Sequence, residues 1–167
     1  MQKLRLQDRA LDIVFGSVAV FIVVADQLTK ALVRANLAPG QVFIDIGWFR
    51  IIHLQNTGAS FGLFRGQPLV VLITGIIGVV LILLLVFLLR SRWSFIQNMW
   101  VRVGMALLMG GAIGNNIIDR LWQGHVTDFL DFKIWPAFNV ADMSITVGVV
   151  IIAYRLIFYS GLTKSKK

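Results

Sequence analysis

The 167-residue chain contains no cysteine and no glutamate, and only three prolines. Without cysteine there is no disulfide, no thiolate nucleophile and no thiolate metal site. Without glutamate the helical zinc motifs H-E-x-x-H and H-x-x-E-H cannot be written, and His53 and His125 stand alone. No metal and no organic cofactor is expected. All carboxylate chemistry falls on eight aspartates: Asp8, Asp12, Asp26, Asp45, Asp119, Asp128, Asp131 and Asp142. Charge of either sign is sparse, at 14% of residues, where a soluble domain carries roughly a quarter. Hydrophobic residues make up 57%, more than a soluble fold of this size can hide, so the composition fits a chain dissolved in lipid. The net charge of +8 sits mostly at the ends of apolar runs, which points to membrane topology and not to nucleic acid. A phosphate loop is also excluded. The run Gly110-Gly111-Ala112-Ile113-Gly114 lies within an apolar stretch and follows no strand.

A bilayer core of ~30 Å takes ~20 helical residues. Four runs reach that length, at about 12–32, 69–89, 100–118 and 141–158. The first resembles a signal peptide in pattern. It continues into Asp26 and Lys30 without a small-residue cleavage site, so it is expected to stay as the first span. Two segments remain outside the spans, about 36–66 and 119–140. Residues 41–52 of the first are rich in β-branched and aromatic types and predict short strands on the outer membrane face. The expected fold is a single mainly α membrane domain over residues 1–167. It has four transmembrane helices, a small extracytoplasmic β-rich cradle and a periplasmic loop or helix. With the N-terminus inside, ten Lys and Arg fall on the cytoplasmic side and six outside, which places both termini in the cytoplasm. Trp93, Trp100, Trp122 and Trp135 fall near span ends, as interfacial anchors do. Ala106, Gly110 and Gly114 repeat at a spacing of four, a face that admits close helix packing.

An ionised carboxylate in hydrocarbon costs ~2.5–3.5 kcal/mol at a helix centre. Asp26, Asp128 and Asp142 all lie at the outer ends of spans or in the outer segment, which predicts a polar site at that boundary. Two aspartates suit peptide hydrolysis. One, ionised, takes a proton from water, and the other, protonated, polarises the carbonyl. Like charges a few ångströms apart cannot both ionise, so the pair shares a proton. Spacing does not choose the pair. Asp128 and Asp142 flank the fourth span, but Asp131 is equally open as a partner. Each acid also has a structural reading. Asp142, or Asn139, fits as a helix N-cap. Asp128 fits as a loop acid, Asp119-Arg120 as an interfacial ion pair, and Asp26 with Lys30 as an i,i+4 pair. The same intramembrane charges suit a small proton-coupled transporter, and the small-residue face suits a non-catalytic scaffold.

Five blocks occur in one order along the chain: Asp26-Gln27-Leu28-Thr29-Lys30, Asn56-Thr57-Gly58-Ala59-Ser60-Phe61-Gly62, Gly110-Gly111-Ala112-Ile113-Gly114-Asn115 with Asp119-Arg120, Gly124-His125-Val126-Thr127-Asp128-Phe129, and Phe138-Asn139-Val140-Ala141-Asp142. With these blocks the chain resembles the bacterial lipoprotein signal peptidases, or signal peptidase II, over nearly its whole length. The resemblance implies an aspartic endopeptidase of the bacterial inner membrane with Asp128 and Asp142 as catalytic residues. It implies supporting roles for Asp26, Lys30, Asn56, Gly58, Ala59, Arg120, Asn139 and Ala141. It further implies diacylglyceryl-modified prolipoprotein substrates cut just before the lipidated cysteine, contact with membrane lipid, and inhibition by globomycin. One departure is a single extra residue between Gly114-Asn115 and Asp119-Arg120, where the family usually has two residues. A one-residue shift turns a helix face by ~100°. Either Asn115 or Asn116 is then the polar site residue, unless a π-bulge absorbs the insertion.

Overall fold

In hydrocarbon each backbone N–H and C=O must find its partner within the protein, so long apolar runs become helices. The computed structural model describes residues 2–58, 67–90 and 92–164. Its elements are α1 (Gln2–Asn36), β1 (Val42–Asp45), β2 (Arg50–Asn56), α2 (Pro68–Leu83) with a π-helical end (Leu84–Leu88), a 3-10 turn (Ser94–Gln97), α3 (Met99–Ala112), a π-helical segment (Ile113–Asp119), α4 (Arg120–Trp122), β3 (Val126–Asp131) and α5 (Val140–Lys164). The stretches long and apolar enough to cross a membrane are Asp8–Asn36, Leu69–Leu88, Met99–Trp122 and Val140–Phe158. The first and third outrun the limits drawn from the sequence. Asp12 and Asp119, at the expected limits, are both ion-paired, so the helices do not stop at them. Local chemistry sets the starts. Pro68 opens α2, where its missing N–H costs nothing. Asn98 caps α3 by accepting from the amides of Trp100 and Val101.

α3 is the central helix and packs against both α1 and α5, while α2 leans on α3 and its π-helical continuation. Lipid tails are as apolar as leucine, so packing rather than water exclusion holds these helices together. The small-residue face does this work. A side chain on Gly110 would strike Ile22 and the Ala19 carbonyl of α1, and Gly104 and Gly148 bring α3 and α5 into backbone contact. Phe15, Val86, Ile96, Val101 and Ala106 fill the space between. At the end of the bundle that holds the start of α1, Asp12 accepts from Arg90 at 2.7 Å and from Arg102 at 3.0 Å. Arg102, one of the ten basic residues counted on the cytoplasmic side, is fully buried and also donates to the Ile96 carbonyl. Trp100 and Trp122 mark the two ends of the third span and are exposed.

The sheet lies at the opposite end, antiparallel in the order β1-β2-β3. β2 and β3 pair from Arg50↔Asp131 to Asn56↔Val126, with one extra residue on β2 between Ile51 and Leu54. Side chains alternate faces along a strand, so this bulge reverses which β2 residues share a face with Asp128. Without it Gln55 would stand there; with it, Asn56 does. β3 was not apparent in the sequence, because the two aspartates of Val-Thr-Asp-Phe-Leu-Asp, a residue depleted in strands, interrupt its strand-forming Val, Thr and Phe. Pairing with β2 on one side and a bridge from Leu130 to Phe138 on the other make it a strand.

Candidate active site

Asn139 precedes the first residue of α5, which makes it the N-cap, and Asp142 stands at the third helical position. The two form a reciprocal cap. The Asp142 amide donates to Asn139 Oδ1 at 3.0 Å, and the Asn139 amide donates to Asp142 Oδ2 at 3.2 Å. The cap is therefore Asn139, and Asp142 keeps an oxygen for other work. With its oxygen engaged, the Asn139 side chain turns its Nδ2 to Asp128 Oδ1, 2.7 Å away. One asparagine thus joins Asp128 and Asp142. Asn56 approaches Asp128 from the other side. Its Oδ1 accepts the Gly58 amide at 2.9 Å, and its Nδ2 donates to Asp128 Oδ2 at 3.0 Å.

Beneath Asp142 lies a buried polar cluster. The Lys30 ammonium donates to Asp26 Oδ2 at 2.7 Å and to Asn115 Oδ1, and it lies 2.7 Å from Asp119 Oδ2 as an ion pair. Asn115 passes the contact on by donating from Nδ2 to Asp142 Oδ1 at 2.8 Å. The Asp26–Lys30 pair does form on its helix face, and it also reaches beyond it. The remaining oxygen of Asp26 accepts the Ala141 amide at 3.0 Å, one of the free donors at the start of α5. Gln27, not singled out in the sequence, bridges Asp26 and Asp119. Gly114 lets this cluster close, since a side chain there would meet Asp26 at 2.7 Å.

Asp119 and Arg120 do not make the interfacial pair expected of them. Asp119 turns inward to Lys30, and Arg120 donates to the carbonyls of Gly58 and Thr57. Asp131 is not a partner for Asp128. Three residues apart on one strand, they face opposite sides, and Asp131 is held by Arg50 at 2.6 Å. His53 binds the Leu37 carbonyl, away from the aspartates. Ala59 lies outside the described residues, with the rest of residues 59–66.

The extra residue is absorbed by the π-helical segment Ile113–Asp119. Its wider turn brings both Asn115 and Asn116 to one cavity of about 590 Å³, together with Asn56, Gly58, Arg120, Asp128 and Asp142. The cavity's apolar wall comes from Val71 and Thr74 of α2 and from Met143, Thr146 and Val147 of α5. α2 and α5 hardly touch one another, so the cavity opens sideways between them. A smaller cavity of about 260 Å³ adjoins it and shares Asn56 and Asp128. Burial, reinforced by the neighbouring charge of Asp142, pushes the Asp128 carboxyl up to about 7, against the donors from Asn56 and Asn139.

A family model described as signal peptidase (SPase) II matches residues 18–158. The chain belongs to the signal peptidase II family. It is a membrane aspartic peptidase and not a transporter. A lipoprotein signal peptidase of Moorella thermoacetica is 37% identical over 148 residues, covering 88% of this chain and 95% of its own. One from Desulforapulum autotrophicum is 40% identical over 147 residues, covering 84% and 90%. Among solved structures, a bacterial membrane enzyme determined in meso at 2.3 Å resolution aligns with a TM-score of 0.77. It is 32% identical and covers 92% of this chain and 91% of its own. This signal peptidase II family member therefore carries two aspartates, joined by one asparagine, on one cavity.

Proposed function

We propose that this peptidase removes signal peptides from diacylglyceryl-modified prolipoproteins in the bacterial inner membrane, cutting just before the lipidated cysteine, with Asp128 and Asp142 as its catalytic residues. The observation that carries this reading is that both carboxylates line one cavity and are bridged by Asn139. The signal helix enters from the bilayer between α2 and α5, where the cavity is apolar and the helices part. The small-residue face of α3 does not receive it, because α1 and α5 already occupy that face. The lipid chains stay in the membrane while the peptide bond reaches the polar end.

One carboxylate takes a proton from water and the other hydrogen-bonds the scissile carbonyl. Asn56, Gly58, Asn115, Asn116, Arg120 and Asn139 shape or position the site. Asp26, Lys30 and Ala141 hold the start of α5 in place. Both termini lie in the cytoplasm by the distribution of Lys and Arg, and the same cavity receives globomycin-type inhibitors. The test is cleavage of a lipidated prolipoprotein by Asp128→Asn and by Asp142→Asn separately. Each should lose at least about 100-fold in kcat/KM. Near-normal cleavage by either variant ends the assignment.

A further inference from the structure

An amide shows its oxygen to a donor and its nitrogen to an acceptor, so an asparagine whose oxygen faces an obligatory donor has its orientation fixed. The three asparagines that bond the dyad are fixed in this way. Asn56 accepts the Gly58 N–H, Asn139 accepts the Asp142 N–H, and Asn115 accepts the Lys30 ammonium. None of these donors can reverse. Each of these three therefore presents Nδ2, and not its oxygen, to a carboxylate.

The donors are unequal. Asp142 receives a backbone N–H at the start of α5, where the helix dipole is positive, and the amide of Asn115, whose far side is bound to the Lys30 charge. Asp128 lies on β3, receives no backbone N–H from α5, and is held by two neutral side-chain amides. The other charged groups around the site are Arg120 in the cavity wall, and Asp26 and Asp119, both held against Lys30. Resting on the dyad reading above, we infer that Asp142 is the ionised general base and that Asp128 carries the shared proton, with Lys30 and Asn115 acting as positioning residues that fix this asymmetry.

The reaction then balances. Asp142 takes a proton from water as the oxygen attacks the carbonyl carbon, and Asp128 gives its proton to the carbonyl oxygen. On collapse the C–N bond breaks, and Asp142 returns its proton to the leaving nitrogen. The hydroxyl proton goes back to Asp128, which restores the starting state.

The test is the pH profile of kcat/KM on a diacylglyceryl peptide for the parent, Asn115→Leu and Asn56→Leu. Loss of the Asn115 donor should move the acidic limb up by about one to two pH units and leave the alkaline limb in place. Loss of the Asn56 donor should move the alkaline limb alone. The reverse pattern, or unmoved limbs in both, overturns the assignment. If a variant is too slow to profile, a carboxyl ¹³C titration of labelled aspartate decides. The highest-titrating carboxyl signal should vanish in Asp128→Asn and persist in Asp142→Asn, and the opposite result overturns the inference. Failure of the dyad reading looks different, because one of those two Asn variants would then still cleave.

Discussion

Asp128 is held by neutral donors in a buried site, and its ionised form is the one the fold disfavours. Its carboxyl lies at about 7 in the folded protein against an ordinary 3.8. Below about pH 4 the group is protonated both folded and unfolded and costs nothing. Between about 4 and 7 only the unfolded chain releases the proton, so stability falls, by up to about 4 kcal/mol, and then levels off. Asp128→Asn removes the titration. The melting temperature of the variant relative to the parent, measured in one detergent, should climb from pH 4 to pH 7 and stay flat above. A difference independent of pH would mean that the site does not penalise the charge. The candidate acids were visible in the sequence because only eight carboxylates exist. Their partners were not. Asp119 seemed paired with its neighbour Arg120, yet it binds Lys30, 89 positions earlier, because a helix turns adjacent side chains to different faces.

The spans were legible as elements, since length and apolarity alone identify a helix in lipid. β3 was not, because its strand character comes from its neighbours. The bulge in β2 that sets Asn56 against Asp128 has no local signature in the sequence either. The π-helical segment sits between these cases. A residue count revealed an insertion, and only the structure shows how the helix takes it up. An i,i+5 step in a π-helix restores the face that an i,i+4 step gives in an α-helix. Asn115 and Arg120 therefore share the cavity despite the extra residue. Deleting Asn116 should let the segment relax to an α-helix with Asn115 and Arg120 still on one face. Cleavage of lipidated substrate should fall no more than about tenfold, since the lost group lines the cavity without touching either aspartate. Deleting Leu108, in the regular part of α3, rotates everything beyond it by ~100° and should abolish folding or activity. Equal loss in both variants would show that the π-helix is required and not merely accommodated.

Across the whole molecule the two ends of the bundle carry different work. Asp12, Arg90 and Arg102 fasten α1, α2 and α3 at one end, and the Lys30 cluster fastens α1, α3 and α5 at the other. α2 has no ion pair at the sheet end among the described residues, and there it stands apart from α5 along the cavity wall. That is the arrangement a lateral entrance needs: three helices locked by charge around the catalytic end, with α2 packed there on the π-helical segment but parted from α5. Thr74 on α2 and Thr146 on α5 both line the opening. The chain has no cysteine, so Thr74→Cys with Thr146→Cys introduces the only two thiols, and a reducible bifunctional reagent can bridge them. Bridging should suppress cleavage of a full-length prolipoprotein whose signal helix is inserted in the bilayer. It should suppress cleavage of a short lipopeptide without that helix much less, and reduction should restore both. If the full-length substrate is processed at the same rate with the bridge in place, the helix reaches the aspartates by another route, and the gap between α2 and α5 is not the door.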